Sequence, residues 1–161
     1  MDVKFTAHQV LEIAEQVEQN GSRFYHKAAK LFVEPSLNDL FTKLAEWETT
    51  HQKLFVKMRQ QFAEQLDELG DFDLDIYISN PRLMASLTVF AIGADSDRQF
   101  TGNETLEVVL KKAIRNEKDT ITFYEGLKDF AQSLACADTL DKIIEEEKRH
   151  IKILTQSLEQ R

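Results

Sequence analysis

The stretch "LAEWETTHQKLF", residues 44–55, decides how this chain is read. Phe41, Leu44, Phe55, Met58 and Phe62 recur at three- and four-residue steps, the apolar stripe of an amphipathic helix. Continuing that rhythm across the gap lands on Glu48 and His51. A carboxylate and an imidazole stand where the pattern asks for Leu or Ile.

Sliding the sequence against itself by 99 residues shows that this oddity occurs twice. Without gaps, Thr6 meets Thr105, Val10 meets Val109, Leu11 meets Leu110 and Ala14 meets Ala113. Glu18 falls on Glu117, Phe24 on Phe123 and Tyr25 on Tyr124, while Glu48 meets Glu147 and His51 meets His150. The repeated unit is a helical hairpin, so the chain reads as two hairpins related by a pseudo-twofold axis.

The seams of all four helices follow the same steps. The first reads Leu11, Ala14, Glu18, Gly21, Tyr25, Ala28, Phe32, and the third Leu110, Ala113, Glu117, Thr120, Tyr124, Leu127, Ala131. The second carries Glu48 and His51 between Leu44 and Phe55; the fourth carries Glu147 and His150 between Ile143 and Leu154. The polar exceptions therefore face the bundle interior. Glu18 and Glu48 are about equally far from the turn before Pro35, and Glu117 and Glu147 from the turn at "QSLACAD". At about 1.5 Å per residue, each pair stands level, roughly 20 Å from its turn.

Four ionised carboxylates in one buried layer repel one another and lose hydration worth several kcal/mol each. Two divalent cations cancel that charge, and two imidazoles complete the coordination. A Glu from each of two helices plus Glu-x-x-His from each of the others is the ligand pattern of dinuclear carboxylate bundles. Oxygen-rich ligation with two His suits two iron ions, or manganese or a mixed pair. The expected bridges are Glu48 and Glu147; the expected terminal ligands are Glu18, Glu117, His51 and His150. Tyr25 and Tyr124, two turns along the same faces, are placed to hydrogen-bond ligand carboxylates. A single Glu-x-x-His arises by chance before roughly one His in ten; two, mirrored with Glu-x6-Tyr at one offset, do not.

Other polar residues read as ordinary surface. Glu46 and Glu145 point away from the seam, His8 and His26 have no counterpart in the repeat, and Glu15 is replaced by Ile114. Trp47 reads as packing, the "EEEKRH" run (145–150) as a solvated face around a buried ligand, and Cys136 as incidental.

The whole chain, at 161 residues, suits one domain, 1–161, with hairpins at 6–69 and 103–158 and a connection at 70–102. Two Pro and five Gly favour long helices, and the expected class is all-α: a four-helix bundle with a long crossover. Caps are expected at Thr6 with Gln9, at Ser36 after Pro35, and at Asn103, with Gly70 ending the second helix. The connection is longer than an antiparallel hairpin needs, so the second and third helices should run parallel. Its centre reads as a short helix from Asn80-Pro81 to about Gly93.

A net charge of −8 argues against nucleic-acid and anionic-membrane partners. One cysteine excludes a disulfide framework and Cys-based zinc or iron–sulfur modules. "MDVKFTAHQV" lacks a signal-peptide core, and "LMASLTVFAIGA" is too short to span a bilayer, so a cytoplasmic location is expected.

Through "EQNGSRFY" (18–25), "EWETTH" (46–51), "EKDTITFY" (117–124) and "EEEKRH" (145–150), the chain resembles the rubrerythrin-like branch of the ferritin-like superfamily. The resemblance implies a non-haem di-iron oxidoreductase that reduces hydrogen peroxide or dioxygen under oxidative stress. Rubrerythrins also carry a rubredoxin domain with paired Cys-x-x-Cys motifs, absent here, so the electron donor would be a separate rubredoxin-type protein. They hold an extra Glu, tied to the iron movement of their peroxidase cycle, where this chain has Thr120. Gly21 and Thr120, one turn above the terminal glutamates, are expected to leave room for an oxygen species. The alternatives are a ferroxidase or iron-storage subunit, ranked lower because the chain ends soon after Leu154, and a plain structural bundle. A homodimer pairing through "RLMASLTVFAIG" (82–93) is the expected assembly.

Overall fold

A computed structural model describes residues 7–69, 100–132 and 137–160. They form four helices: α1 (Ala7–Leu31), α2 (Pro35–Leu69), α3 (Leu106–Gln132) and α4 (Ala137–Glu159), with no strand among the described residues. The expected cap at Thr6, the stop at Gly70, the short helix at 80–93, the 82–93 surface and the Cys136 turn lie outside them.

Two expected caps move. Pro35 is itself the first residue of α2, where its missing N–H costs nothing, and Asn38 N donates to Glu34 O at 2.9 Å. Glu34 therefore stands at the cap, and Ser36, already inside the first turn, donates its hydroxyl to Glu34 Oε1 at 2.9 Å. In α3 the cap is Thr105, whose Oγ1 accepts from Val108 N at 3.3 Å, and not Asn103. Upstream, the Glu104 carboxylate gathers Thr101 N at 2.6 Å, Gly102 N at 2.9 Å and Thr101 Oγ1 at 3.0 Å. Those donors, Thr101 N first, hold its pKa down at about 2. Gly102 makes this turn with φ +86°, a conformation suited to a residue without Cβ.

Helix directions follow from bonds across the bundle. Tyr25 bonds Glu117 and Tyr124 bonds Glu18, so α1 and α3 are antiparallel. Since α1 and α2 form a hairpin closed by Asn38 Nδ2 to Ala29 O at 2.8 Å, α2 and α3 run parallel, as the long connection requires.

The apolar core is in two parts. One holds Leu11, Phe55, Met58, Phe123, Leu127 and Ile143; the other holds Phe24, Phe41, Leu44, Leu110 and Leu154. Along every helix the two parts lie on opposite sides of the Glu positions. A polar layer thus divides the core across its middle.

Candidate metal centre

All six expected ligands are buried: Glu18, His51 and Glu147 at 0% exposure, His150 at 2%, Glu48 and Glu117 at 4%. Each helix brings its residues inward through its seam, and the antiparallel pairings put them at one height.

Their donor atoms form two quartets. In one, atoms of Glu18, Glu48, His51 and Glu147 all lie within 4.8 Å of one another; in the other, atoms of Glu48, Glu117, Glu147 and His150 do. Glu48 and Glu147 belong to both. His51 Nδ1 lies 2.8 Å from Glu147 Oε1 and 3.5 Å from Glu18 Oε2. His150 Nδ1 lies 2.9 Å from Glu147 Oε2, 3.2 Å from Glu48 Oε1 and 3.6 Å from Glu117 Oε1.

Whether these residues fit a metal pair can be tested on their unpaired atoms. Glu18 Oε2, Glu48 Oε1, Glu147 Oε2 and His150 Nδ1 are buried with no hydrogen-bond partner among the described residues. An unsatisfied buried polar group costs about 1–3 kcal/mol. Three carboxylate oxygens and an imidazole nitrogen left bare in one layer are the donors a divalent cation takes up.

The electrostatics agree. Burial, then repulsion from Glu147, raises Glu18 well above the usual carboxylate range. Burial raises Glu48 and Glu117 likewise, with Glu18 and Glu48 respectively as the strongest repelling charge. Glu147 goes the other way: burial pushes it up, but His150 and His51 beside it hold it below its ordinary value. Burial works against the imidazolium forms, yet the Glu147 carboxylate brings His51 to about 9, and the neighbouring carboxylates of Glu117 and Glu147 bring His150 to about 12. The metal-free layer therefore holds protons on positions that cations displace.

The tyrosines work crosswise. Tyr25 donates its hydroxyl to Glu117 Oε1, and Tyr124 donates to Glu18 Oε1. Each thus steadies a glutamate of the opposite hairpin, and neither bonds the glutamate of its own helix. Burial, and then the carboxylate it faces, raises each phenol well above its ordinary pKa.

Three expectations change, and Trp47, read as packing, gains its partner. Gly21 does not leave open room: a Cβ there would meet Glu48 Oε2 at 2.9 Å, so the space is filled by Glu48 itself. Glu15 is not free surface but bonds Arg59 Nε at 2.5 Å, linking α1 to α2. Its repeat equivalent is Ile114, and that of Arg59 is Leu158, both packed on the core. Trp47, 37% exposed, stacks on His150 with ring centres 5.1 Å apart. Glu146, inside the charge run, accepts from His51 Nε2 at 2.5 Å. The repeat pairs positions 47 and 146, but two such different residues gave no common signal. His8, His26, Glu46 and Glu145 are exposed, as expected.

Fold and site together define a ferritin-like four-helix bundle with a buried carboxylate–histidine layer. Residues 9–74 match the family model described as Rubrerythrin, a span that includes Glu18, Glu48 and His51. That span, less than half of the chain, is similar to rubrerythrins in the hairpin that carries the motifs at 18–25 and 46–51. A solved structure from Thermotoga maritima, described as a ferritin-like diiron-carboxylate protein, is 26% identical, covers 97% of this chain and 96% of its own, and superposes with a TM-score of 0.69. No curated protein matches the chain. Among the described residues, no helix is long and apolar enough to cross a membrane.

Proposed function

We propose that this chain binds two iron ions in the buried layer and acts as a redox protein that reduces hydrogen peroxide or dioxygen. The observation that carries this is the sharing of Glu48 and Glu147 by both donor quartets. Two carboxylates common to two sites are what a bridged pair of cations needs; a set of unrelated buried acids has no reason to share them. The description of the Thermotoga maritima structure as a diiron-carboxylate protein supports the choice of metal, and two His with four carboxylates accept manganese as well.

When bound, the iron pair would supply electrons to cleave the O–O bond, taking peroxide to two water molecules with two electrons and two protons. The chain's own residues hold that chemistry in place. Glu18 with His51, and Glu117 with His150, close the two outer sides. Tyr124 and Tyr25 fix the outer glutamates by their hydroxyls. The two apolar clusters keep bulk water from the layer. Electrons come from a separate rubredoxin-type protein, and the working form is a cytoplasmic homodimer.

Anaerobic titration with Fe2+, followed by absorption before and after peroxide, tests the reading. Two irons per chain, rapidly oxidised by peroxide and reducible again, are expected. Purified protein that retains neither iron nor manganese after reconstitution overturns it. Iron that accumulates far beyond two per chain points instead to iron handling.

A further inference from the structure

The 99-residue repeat makes positions 47 and 146 equivalent, and each lies against a histidine of the opposite hairpin. At position 146 stands a carboxylate: Glu146 Oε2 is 2.5 Å from His51 Nε2. At position 47 stands an indole: Trp47 is stacked on the His150 ring at 5.1 Å and 12°. The six donor residues are themselves matched by the repeat, whereas the outer partners of the two imidazoles are not.

The two partners do different things to a ligand. A carboxylate on Nε2 fixes the ring proton there and leaves Nδ1 as the nitrogen free to coordinate. That is the nitrogen facing Glu147 and Glu18. The bond also fixes ring rotation and raises the donor strength of Nδ1. Glu146 does this from the rim, its side chain 46% exposed, while His51 is wholly buried. A stacked indole offers no acceptor in the plane of the His150 ring. It holds the ring's plane by contact, as His51 also does at 5.8 Å and 17°, and adds nothing to its donor strength.

Resting on the metal-binding reading above, we propose that residues 146 and 47 make the two metal positions unequal. Glu146 is a positioning residue that makes the Glu18–His51 position the tighter one. Trp47 leaves the Glu117–His150 position the weaker, so cations load in a fixed order.

The test is calorimetric titration of the metal-free full chain with Co2+, with the visible ligand-field spectrum recorded at each step. Wild type is expected to bind in two resolved steps. Glu146→Ala should weaken the first step by about tenfold to a hundredfold and leave the second unmoved. Glu146→Gln, which keeps an acceptor of the same shape, should recover part of the loss. Trp47→Glu should tighten the second step toward the first and bring the two spectra together. Glu146→Ala with both steps at wild-type affinity overturns the proposal, as does an equal loss in both steps. Wild type that binds no Co2+ at all overturns the metal-binding reading itself, a result distinct from either.

Discussion

Replacing Gly21 with Ala should separate the site from its scaffold. The new Cβ lies 2.9 Å from Glu48 Oε2, 3.3 Å from its Cδ and 3.4 Å from its Cγ. Reaching ordinary contact requires the carboxylate to retreat by about half an ångström. In a loose side chain that shift is cheap. Glu48, however, is 4% exposed and its Oε1 sits 3.2 Å from His150 Nδ1. Strain of about 1–3 kcal/mol is expected from overpacking, against a gain of about 1 kcal/mol for Ala over Gly inside a helix. Net stability of the metal-free protein should therefore change by no more than about 2 kcal/mol. Metal affinity should fall by about tenfold or more, because Glu48 belongs to both quartets. Urea unfolding in excess chelator measures the first quantity and anaerobic calorimetry with Fe2+ the second. A variant with wild-type affinity and two cations per chain would refute the assignment of Glu48 as a shared ligand held in place by the gap at Gly21.

Metal-free protein should lose stability as pH rises. His51 and His150 hold protons to about 9 and about 12 when folded, against an ordinary value of 6.5. Their contribution is thus complete below pH 6.5 and is lost as pH climbs through the folded values, at about 1.4 kcal/mol per pH unit for each retained proton. Raised Glu18, Glu48 and Glu117 act with the same sign. Unfolding midpoints in chelator at pH 6, 7, 8 and 9 check this, and a flat profile contradicts it. Saturating Fe2+ at a hundred times its dissociation constant should add about 2.7 kcal/mol for each occupied position, reversed by chelation; equal melting temperatures with and without metal would count against the site. Tyr25→Phe and Tyr124→Phe should each cost about 1–3 kcal/mol, and by similar amounts, since their buried bonds are equivalent; a large difference on urea unfolding would deny the pseudo-symmetry. Glu15→Ile with Arg59→Leu copies the Ile114–Leu158 pair of the other half and should match or exceed wild-type stability, while either change alone loses up to about 1 kcal/mol. A double-mutant cycle with no coupling would show that the ion pair does not link the helices.

How much of this the sequence discloses depends on the kind of signal involved. Glu18, Glu48, His51 and their repeat partners interrupt an otherwise apolar seam, and helical geometry alone turns such a break into a buried position. The parallel run of α2 and α3 was legible from the length of the connection. Glu146 was not, because it lies one residue off the seam in a charged run, and its partner sits on another helix. The crosswise reach of the tyrosines was hidden for a related reason: a repeat equates Tyr25 with Tyr124 but cannot say which glutamate either one meets. Thr105 was recoverable, since the repeat aligns it with Thr6, already read as a cap. The local Asn103 signal competed with it and is overridden by where α3 begins.

The crossed tyrosine bonds also bear on the order of assembly. They join residues 92 and 106 apart in the chain, whereas the contacts within each hairpin are local. A hairpin can zip up on its own apolar seam, but it holds three of the six donors and a hydroxyl aimed at a neighbour it does not yet have. Since local contacts tend to form ahead of distant ones, closure is expected to follow hairpin formation, opposed by the gathering of like charges. A cation arriving at that moment would act as the latch.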